Sequence, residues 1–150
     1  MIGIRNALPE DVPSLVSLID QLGYPMDPSI LIENVNVYLR DPDRSLFVAE
    51  IEGKVVGCIA SDMAQTFHRE GKHMRVVSLV VDRALRRKGI GKALLEEAEG
   101  WARQQGCWVI EVTSSFRRKK EGTHDFYTKQ GYLKNSSQYF CKLLTPSSEL

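Results

Sequence analysis

A seven-residue segment, Arg86-Arg87-Lys88-Gly89-Ile90-Gly91-Lys92, combines two glycines with four basic side chains. The glycines let the backbone approach an anion closely, and the basic side chains add positive charge at the same place. Before the segment, residues 76–81 form an apolar run typical of a strand, and the residues after it follow helical spacing. Because the N–H groups at a helix start attract anions, the segment indicates a pyrophosphate site. A plain strand-to-helix turn with solvated basic residues explains it equally well.

Two common phosphate-binding motifs are excluded by the residues around these glycines. A Walker A loop requires a glycine at the position of Arg86 and a serine or threonine at that of Ala93. A dinucleotide fingerprint requires a third small residue where Leu94 stands. The sequence therefore supports neither a P-loop kinase nor a dinucleotide-dependent dehydrogenase.

The pattern that is left, Arg86-x-x-Gly89-x-Gly91 after a strand that ends in Leu79-x-Val81, resembles the GNAT superfamily of acyl-CoA-dependent N-acyltransferases. A second segment, His124-Asp125-Phe126-Tyr127-x-x-x-Gly131-Tyr132, is similar to the downstream helix of that family. The order and separation of the two segments also fit. The resemblance covers residues 2–144 and implies the family's fold, with acetyl-CoA as co-substrate.

The resemblance also implies how this chain would hold acetyl-CoA. In the family, backbone amides of the turn wrap the pyrophosphate of coenzyme A, and the pantetheine arm lies like an extra strand between a splayed fourth and fifth strand. The implied contacts here are Leu79, Val80, Val81, Arg86, Arg87, Lys88, Gly89, Ile90, Gly91 and Lys92. A backbone N–H near Val80 would hold the thioester carbonyl oxygen. The basic residues 117–120 would suit further phosphate groups, unless they form a solvated loop.

Acetyl transfer to an amine requires a neutral nucleophile, a polarised carbonyl and a proton for the leaving sulfur. The resemblance gives the last role to Tyr127, whose phenol can donate a proton to a thiolate. The alternative is a half-buried tyrosine without a chemical role. Many family members carry a glutamate on the fourth strand, but residues 75–78 contain no carboxylate. The remaining candidates for the base are a bound water, His73, His124, Glu50 and Asp62. No metal is expected, because His68 and His73 lack a third ligand at a recognisable spacing.

The elements around these residues predict an α/β (mixed α+β) domain. The expected GNAT-like fold has a mixed, mostly antiparallel central sheet of about six or seven strands, with helices on both faces. Strands are predicted at residues 2–8, 45–51, 54–61 with an extension towards 67, 73–81, 108–113 and 139–144. Helices are predicted at residues 9–22, from a cap at Asp27 or Ser29 to about 39, from about 90 to a stop at Gly106, and at 123–130. By the resemblance, Tyr24 and Met26 are candidate acceptor contacts between the first two helices.

Composition narrows the class of protein further. The 150 residues are 43% hydrophobic and 26% charged, which predicts one globular domain over residues 1–150 with a frayed tail at 146–150. The absence of a secretory signal or a long apolar run favours a cytoplasmic protein that does not engage membranes. A net charge of +1 argues against nucleic-acid binding. The three cysteines, Cys58, Cys107 and Cys141, each lie in an apolar segment and are expected to be buried free thiols.

The sequence thus predicts an N-acetyltransferase. It would move the acetyl group of acetyl-CoA to a primary amine of a small molecule or peptide, by direct attack in a ternary complex. The alternative is a non-catalytic acyl-CoA-binding sensor or regulatory domain of the same fold. Dimers are common in the family that the sequence resembles, so a homodimer is one expected assembly.

Overall fold

The computed structural model describes residues 1–113, 122–135 and 139–146. They belong to two compact units, Met1–Thr113 and Ser114–Leu150. The strands are β1 (Gly3–Asn6), β2 (Arg44–Ile51), β3 (Lys54–Gln65), β4 (Lys72–Val81) and β5 (Cys107–Val112). The helices are α1 (Val12–Leu22), α2 (Pro28–Arg40), α3 (Ile90–Gln104) and α4 (Thr123–Lys129), with short 3₁₀ turns at Pro9–Asp11 and Arg83–Leu85.

The first unit contains one five-stranded sheet in the order β1-β2-β3-β4-β5. The first three neighbouring pairs are antiparallel, and β4 and β5 are parallel. A parallel pair needs a long crossover connection, which α3 provides. The mixed, mostly antiparallel sheet is therefore confirmed, with five strands among the described residues instead of the six or seven predicted.

The strand predicted at residues 139–144 is wrong, because these residues have no strand conformation. The prediction rested on their apolar character, which does not supply the hydrogen-bonded neighbour that a strand requires. Tyr139, Phe140 and Leu144 are instead well exposed. The other predicted helices and strands are found, with their ends shifted by a few residues. Strand β1, for example, was predicted at residues 2–8 and spans Gly3–Asn6.

Local chemistry explains where the elements begin and end. Helix α1 ends at Gly23, whose φ of 107° is left-handed and suits glycine. Helix α2 begins after Asp27, whose carboxylate accepts a hydrogen bond of 2.8 Å from the backbone N–H of Ser29. The β2–β3 hairpin turns through Glu52 and Gly53, both with positive φ. That backbone conformation matches the twist of the flanking strands.

Helices cover both faces of the sheet, as predicted. Residues of α1 and α2 form one core cluster with Leu46 and Val48 of β2 and Cys58 of β3. Helix α3 packs on the other face, where Gly57 of β3 lies beneath it. A Cβ atom at Gly57 would lie 3.1 Å from Leu94 Cδ1 and 3.4 Å from Ile90 Cγ2, so glycine permits the close approach of α3. Among the described residues, no helix is long and apolar enough to cross a membrane.

Candidate active site

Strand β4 has two different halves. Its first half is paired on both sides, because the parallel ladder with β5 runs from Lys72 opposite Cys107 to Val76 opposite Val112. Residues 77–81 continue alongside β3 alone, with no β5 partner. Within the described residues, the edge of β4 towards β5 is therefore open at residues 77–81, in agreement with the predicted parting of the fourth and fifth strands.

The direction of the backbone groups along this open edge follows from one hydrogen bond. The N–H of Asp82 donates to the carbonyl of Val56 on β3 at 2.8 Å. Since hydrogen-bonding direction alternates along an antiparallel strand, the N–H and C=O of Val80 also point towards β3, and those of Leu79 and Val81 point away from it. The Val80 side chain lies in the core with α1 and α2. Of the three predicted strand contacts, Leu79 and Val81 can therefore offer backbone hydrogen bonds to a ligand.

The open half begins at a β-bulge. Ser78 lies opposite Ala60, but Val76 lies opposite Ser61, so Val77 is an extra residue in β4. A bulge bends the strand and re-aims its side chains, and bulges are common beside active sites. The Val77 side chain is 43% exposed. The bulge therefore falls where the β4–β5 ladder ends.

The turn after β4 is held at its base by polar contacts. The Arg83 N–H donates to Gln21 Oε1 of α1 at 2.8 Å, and the Asp82 carboxylate accepts from the Ala84 N–H at 3.1 Å. Farther along, Arg87 and Gly89 have positive φ values of 66° and 82°. These contacts and dihedral angles shape the connection that leads from the open strand edge into α3.

Helix α3 begins with backbone N–H groups that have no hydrogen-bond partner in the described ranges of the chain. Its N-cap is Gly89, which has no side chain to accept a hydrogen bond, and the first helical bond runs from the Ala93 N–H to the Gly89 carbonyl at 3.0 Å. The N–H groups of residues 90–92 precede that bond and have no partner within the helix. Space above Gly89 is open, since an added Cβ would meet no atom within 4 Å. This helix start can accept an anion.

The predicted basic residues surround this helix start with different exposures. Arg86 is half-buried, whereas Arg87, Lys88 and Lys92 are exposed. Lys92 Nζ lies 3.8 Å from Glu96 Oε1 in an exposed i,i+4 pair, which contributes little stability. The Ile90 side chain is buried, so Ile90 can meet a ligand only through its backbone N–H. Gly91 is half-buried in the first turn of α3.

Tyr127 lies in the second unit, on the short helix α4. Its ring makes edge-on contacts with Phe126, at 5.2 Å between centroids, and with Tyr132, at 5.8 Å. The chain leaves the helix at Gly131, with a φ of 89°, and the Tyr132 N–H donates to the Tyr127 carbonyl at 3.0 Å. His124 Nε2 is buried and has no hydrogen-bond partner among the described residues. His124 and Tyr127, the two candidate catalytic residues of this segment, thus lie on the same short helix.

Two of the candidate bases have structural partners. Glu50 Oε2 accepts from Arg5 Nε at 2.7 Å, and Arg5 also binds both carboxylate oxygens of Asp11, at 2.8 and 2.9 Å. The hydrogen bonds from Arg5 hold the pKa of Asp11 below its usual value. His73 Nδ1 lies 2.9 Å from Thr66 Oγ1, at the start of β4. Six residues, roughly 20 Å of strand, separate His73 from Leu79.

Among the candidate bases of the first unit, Asp62 is the nearest in the sheet register to the bulge. It lies on β3 directly after Ser61 and is half-buried, and its side chain forms no hydrogen bond or ion pair with a described residue. In the loop between α1 and α2, Tyr24 is exposed and Met26 packs against the core. The basic run at residues 117–120 lies outside the described residues.

All three cysteines are free thiols, as predicted, but their predicted burial holds for Cys58 alone. Cys107 is half-buried and Cys141 is exposed, because the apolar character of a segment does not by itself place it in the core. Complete burial raises the pKa of the Cys58 thiol to about 12, so this side chain stays protonated at neutral pH. Burial also raises the pKa of Cys107, opposed by the charge of Lys72. No cluster of three metal-binding side chains occurs among the described residues.

Two features around the candidate site and one cleft could not be predicted from the sequence. The Gln21–Arg83 contact joins residues 62 positions apart, and the bulge at Val77 depends on the register of a neighbouring strand. A cleft of about 540 Å³ also lies away from the turn. It is lined by residues at the ends of α2 and β1, the start of β2 and the second half of α3, among them Asn6, Tyr38, Arg44, Phe47 and Trp101.

The Acetyltransferase (GNAT) family model matches residues 12–132, and the chain therefore belongs to this family. It is 32% identical over 142 residues to an aminoalkylphosphonate N-acetyltransferase of Salmonella typhimurium, covering 94% of this chain and 90% of the relative. It is 30% identical to an uncharacterised N-acetyltransferase of Chlorobaculum tepidum, covering 91% and 79%. The crystal structure of a GNAT family acetyltransferase of Staphylococcus aureus superposes with a TM-score of 0.78 at 25% identity, covering 95% and 98%.

Proposed function

We propose that this protein transfers the acetyl group of acetyl-CoA to the primary amine of a small molecule or peptide, by direct attack. The proposal rests on one observation, which is that the open edge of β4 and the start of α3 are continuous along the chain. The open edge of β4 at residues 77–81 leads directly into a turn and a helix start with unpaired N–H groups. A ligand with an amide-containing arm and a pyrophosphate matches both.

The chain's own groups fit acetyl-CoA in the order in which they occur. The backbone groups of Leu79 and Val81 would hold the pantetheine arm, as an added strand would be held. The N–H groups of residues 90–92, with the basic side chains of Arg86–Lys88 and Lys92, would hold the pyrophosphate. When bound, acetyl-CoA supplies the acetyl group as an activated thioester.

The proposed reaction joins the amine nitrogen to the acetyl carbon and breaks the carbon–sulfur bond. Tyr127 donates its phenolic proton to the leaving sulfur, and a backbone N–H of β4 beside the bulge stabilises the carbonyl oxygen. The nitrogen loses two protons in the reaction: the second leaves as the amide forms and restores the Tyr127 phenol, and the first must leave the ammonium before the amine can attack. Asp62 or a bound water takes that proton. No cysteine is needed, and the protonated state of Cys58 supports direct attack.

Amine acceptors can be tested in a defined order. The relative from Salmonella typhimurium is named for aminoalkylphosphonates, and it aligns with nearly the whole chain. We therefore propose 2-aminoethylphosphonate as the first acceptor, followed by other small primary amines and a lysine-containing peptide. Release of the coenzyme A thiol reports turnover in each case.

The catalytic assignment is tested by Tyr127→Phe. Loss of a general acid lowers rates by about a hundredfold or more, so we expect that loss in kcat with little change in the Kd of acetyl-CoA. Tyr139→Phe, at an exposed tyrosine in the same unit, is the matched control. An unchanged kcat in Tyr127→Phe shows that Tyr127 is not the acid. Tight acetyl-CoA binding with no turnover on any amine favours the sensor alternative.

A further inference from the structure

A row of alternating charges crosses four strands of the sheet. Arg44 of β2 lies opposite Asp62 of β3, Asp62 lies opposite Arg75 of β4, and Arg75 lies opposite Glu111 of β5. Residues directly opposite each other in a sheet project from the same face. The row therefore runs positive, negative, positive, negative across one face of the sheet.

The face is the one that carries α1 and α2. The Arg44 guanidinium carbon lies 5.2 Å from the centre of the Tyr38 ring on α2. The pKa of Tyr38 is raised, first by burial and next by the negative charge of Asp62, so Asp62 projects towards the same helix. Arg75 and Glu111, which lie farther along the row, are exposed to solvent in the part of the chain that the structure describes.

The row passes beside the bulge that opens the active site. Asp62 follows Ser61, the β3 residue at the bulge, and Arg75 comes two residues before Val77. Two residues of strand span about 7 Å. A molecule that reaches the open edge of β4 near Val77 from this face therefore meets Asp62 and Arg75 at the same time.

These two charges are available to a ligand. A charge ladder that only stabilises the sheet would pair its side chains across the strands. Here Arg44 is paired instead with Asp41, at 3.1 Å, and stacks on Tyr38. Neither Asp62 nor Arg75 forms an ion pair with a described residue, although they are neighbours in register. An acid and a guanidinium without an ion-pair partner in the described part of the chain thus lie side by side next to the open edge.

We propose that this pair is the acceptor subsite, and that it selects amines carrying an anionic group a few bonds away. Asp62 holds the ammonium before it is deprotonated, and the planar Arg75 fork binds the anion through two hydrogen bonds. The inference rests on the proposed acetyl transfer and assigns its acceptor class to two residues.

The test compares three acceptors that differ only in the group beyond the amine. They are 3-aminopropionate, its amide 3-aminopropanamide, and propylamine. For the parent protein, kcat/KM for 3-aminopropionate is expected to be about ten- to a hundredfold higher than for the amide or for propylamine. This ratio corresponds to the free energy of a hydrogen bond to a charged group. Arg75→Gln is expected to remove this preference while leaving the value for propylamine within about twofold. Arg75→Lys, which keeps the charge but loses the fork, is expected to restore part of it.

Arg103→Gln is the matched control, since Arg103 is exposed on α3 and outside the row. Thermal unfolding and the Kd of acetyl-CoA are measured for every variant, so that a fold or co-substrate defect is seen directly. Calorimetric titration of the coenzyme A complex with 3-aminopropionate measures acceptor binding without turnover. It is expected to bind the parent and Arg103→Gln, and to bind Arg75→Gln at least about tenfold more weakly.

The outcomes separate this inference from the function on which it rests. If the parent neither binds acetyl-CoA nor acetylates an amine, the proposed function fails and the subsite fails with it. If acetyl-CoA binds but the three amines react equally, or if Arg75→Gln and Arg103→Gln behave alike, the subsite alone is overturned. Failure of 3-aminopropionate to bind the coenzyme A complex overturns the subsite as well.

Discussion

The two halves of β4 have different neighbours in the sheet. Residues 72–76 are paired with β3 on one side and β5 on the other, and Met74 and Val76 are buried. Residues 77–81 are paired on one side only, begin with a bulge and lead into the basic turn. One strand thus supplies both a structural half and an open half. The open half begins where the ladder with β5 ends, at Val76 opposite Val112.

A side-chain contact network closes the structural half. Thr66 Oγ1 accepts from Trp108 Nε1 at 2.9 Å and contacts His73 Nδ1 at 2.9 Å, which joins the β3–β4 connection to both β4 and β5. The guanidinium carbon of Arg69 lies 3.9 Å from the centre of the Trp108 ring. The open half has the Gln21 contact to the turn as its corresponding anchor. The side-chain contacts of the first half should therefore affect stability without affecting ligand binding, whereas the backbone groups on the open edge of the second half should affect ligand binding.

The sharpest comparison uses proline at two adjacent positions of the open half. In Val80→Pro the lost N–H points to β3, so we expect a loss of about 3 kcal/mol or more in the free energy of unfolding. In Leu79→Pro the lost N–H points to the open edge, so we expect a smaller loss of stability and weaker binding of acetyl-CoA. Denaturant unfolding and acetyl-CoA titration measure both effects. Equal destabilisation by the two prolines contradicts the assigned backbone directions.

Side-chain truncation compares the two halves directly. Met74 is fully buried, and Met74→Ala is expected to cost about 2–5 kcal/mol of stability. Val77 is 43% exposed at the bulge, and Val77→Ala is expected to cost less than about 1 kcal/mol. Denaturant unfolding measures both variants. A loss at Val77 as large as that at Met74 would mean that the bulge is part of the core.

The smallest effect is expected from the contact network of the structural half. Thr66→Val keeps the shape of the side chain and removes the contacts to Trp108 and His73. We expect a loss of about 1 kcal/mol in stability, typical of a lost hydrogen bond, and an unchanged Kd for acetyl-CoA. Thermal unfolding and titration with acetyl-CoA check the two parts. A weaker Kd would show that the closed end of β4 also shapes the co-substrate site.

Local patterns in the sequence were sufficient for most of the fold. The β-branched run at residues 76–81, the helical spacing after Gly89 and the hairpin at Glu52-Gly53 each depend on near neighbours, and the corresponding elements are found. The strand predicted at residues 139–144 was wrong, because apolar character does not specify a pairing partner. The same physical reason applies to the site. The end of the β4–β5 ladder and the charge row depend on register between strands that are distant in sequence.

The residues of the candidate site show the same distinction between features set by near neighbours and features set by segments distant in sequence. The turn with Gly89 was predicted from its glycines and charges, and the structure adds that Gly89 has a left-handed φ and open space above it. Val80 was grouped with Leu79 and Val81, since a sequence does not reveal which backbone groups face β3. Glu50 could not be separated from the other acids, because its partner Arg5 lies 45 positions away.

The central claim is that the start of α3 binds the pyrophosphate of acetyl-CoA, and two glycines of the same helix allow a matched test. Gly89 and Gly106 both have a φ of 82°, and an added Cβ at either would meet no atom within 4 Å. Gly89 lies at the start of α3 and Gly106 just beyond its end. An aspartate therefore imposes the same backbone strain at both positions. Its negative charge suits a helix start better than a helix end, so Gly89→Asp should be the more stable variant.

We would titrate the parent protein, Gly89→Asp and Gly106→Asp with acetyl-CoA by calorimetry. The account predicts binding by the parent and by Gly106→Asp, and a loss of at least about a hundredfold in Gly89→Asp, because like charges would face each other at the helix start. Equal binding by the two variants, or no binding by the parent, would contradict it.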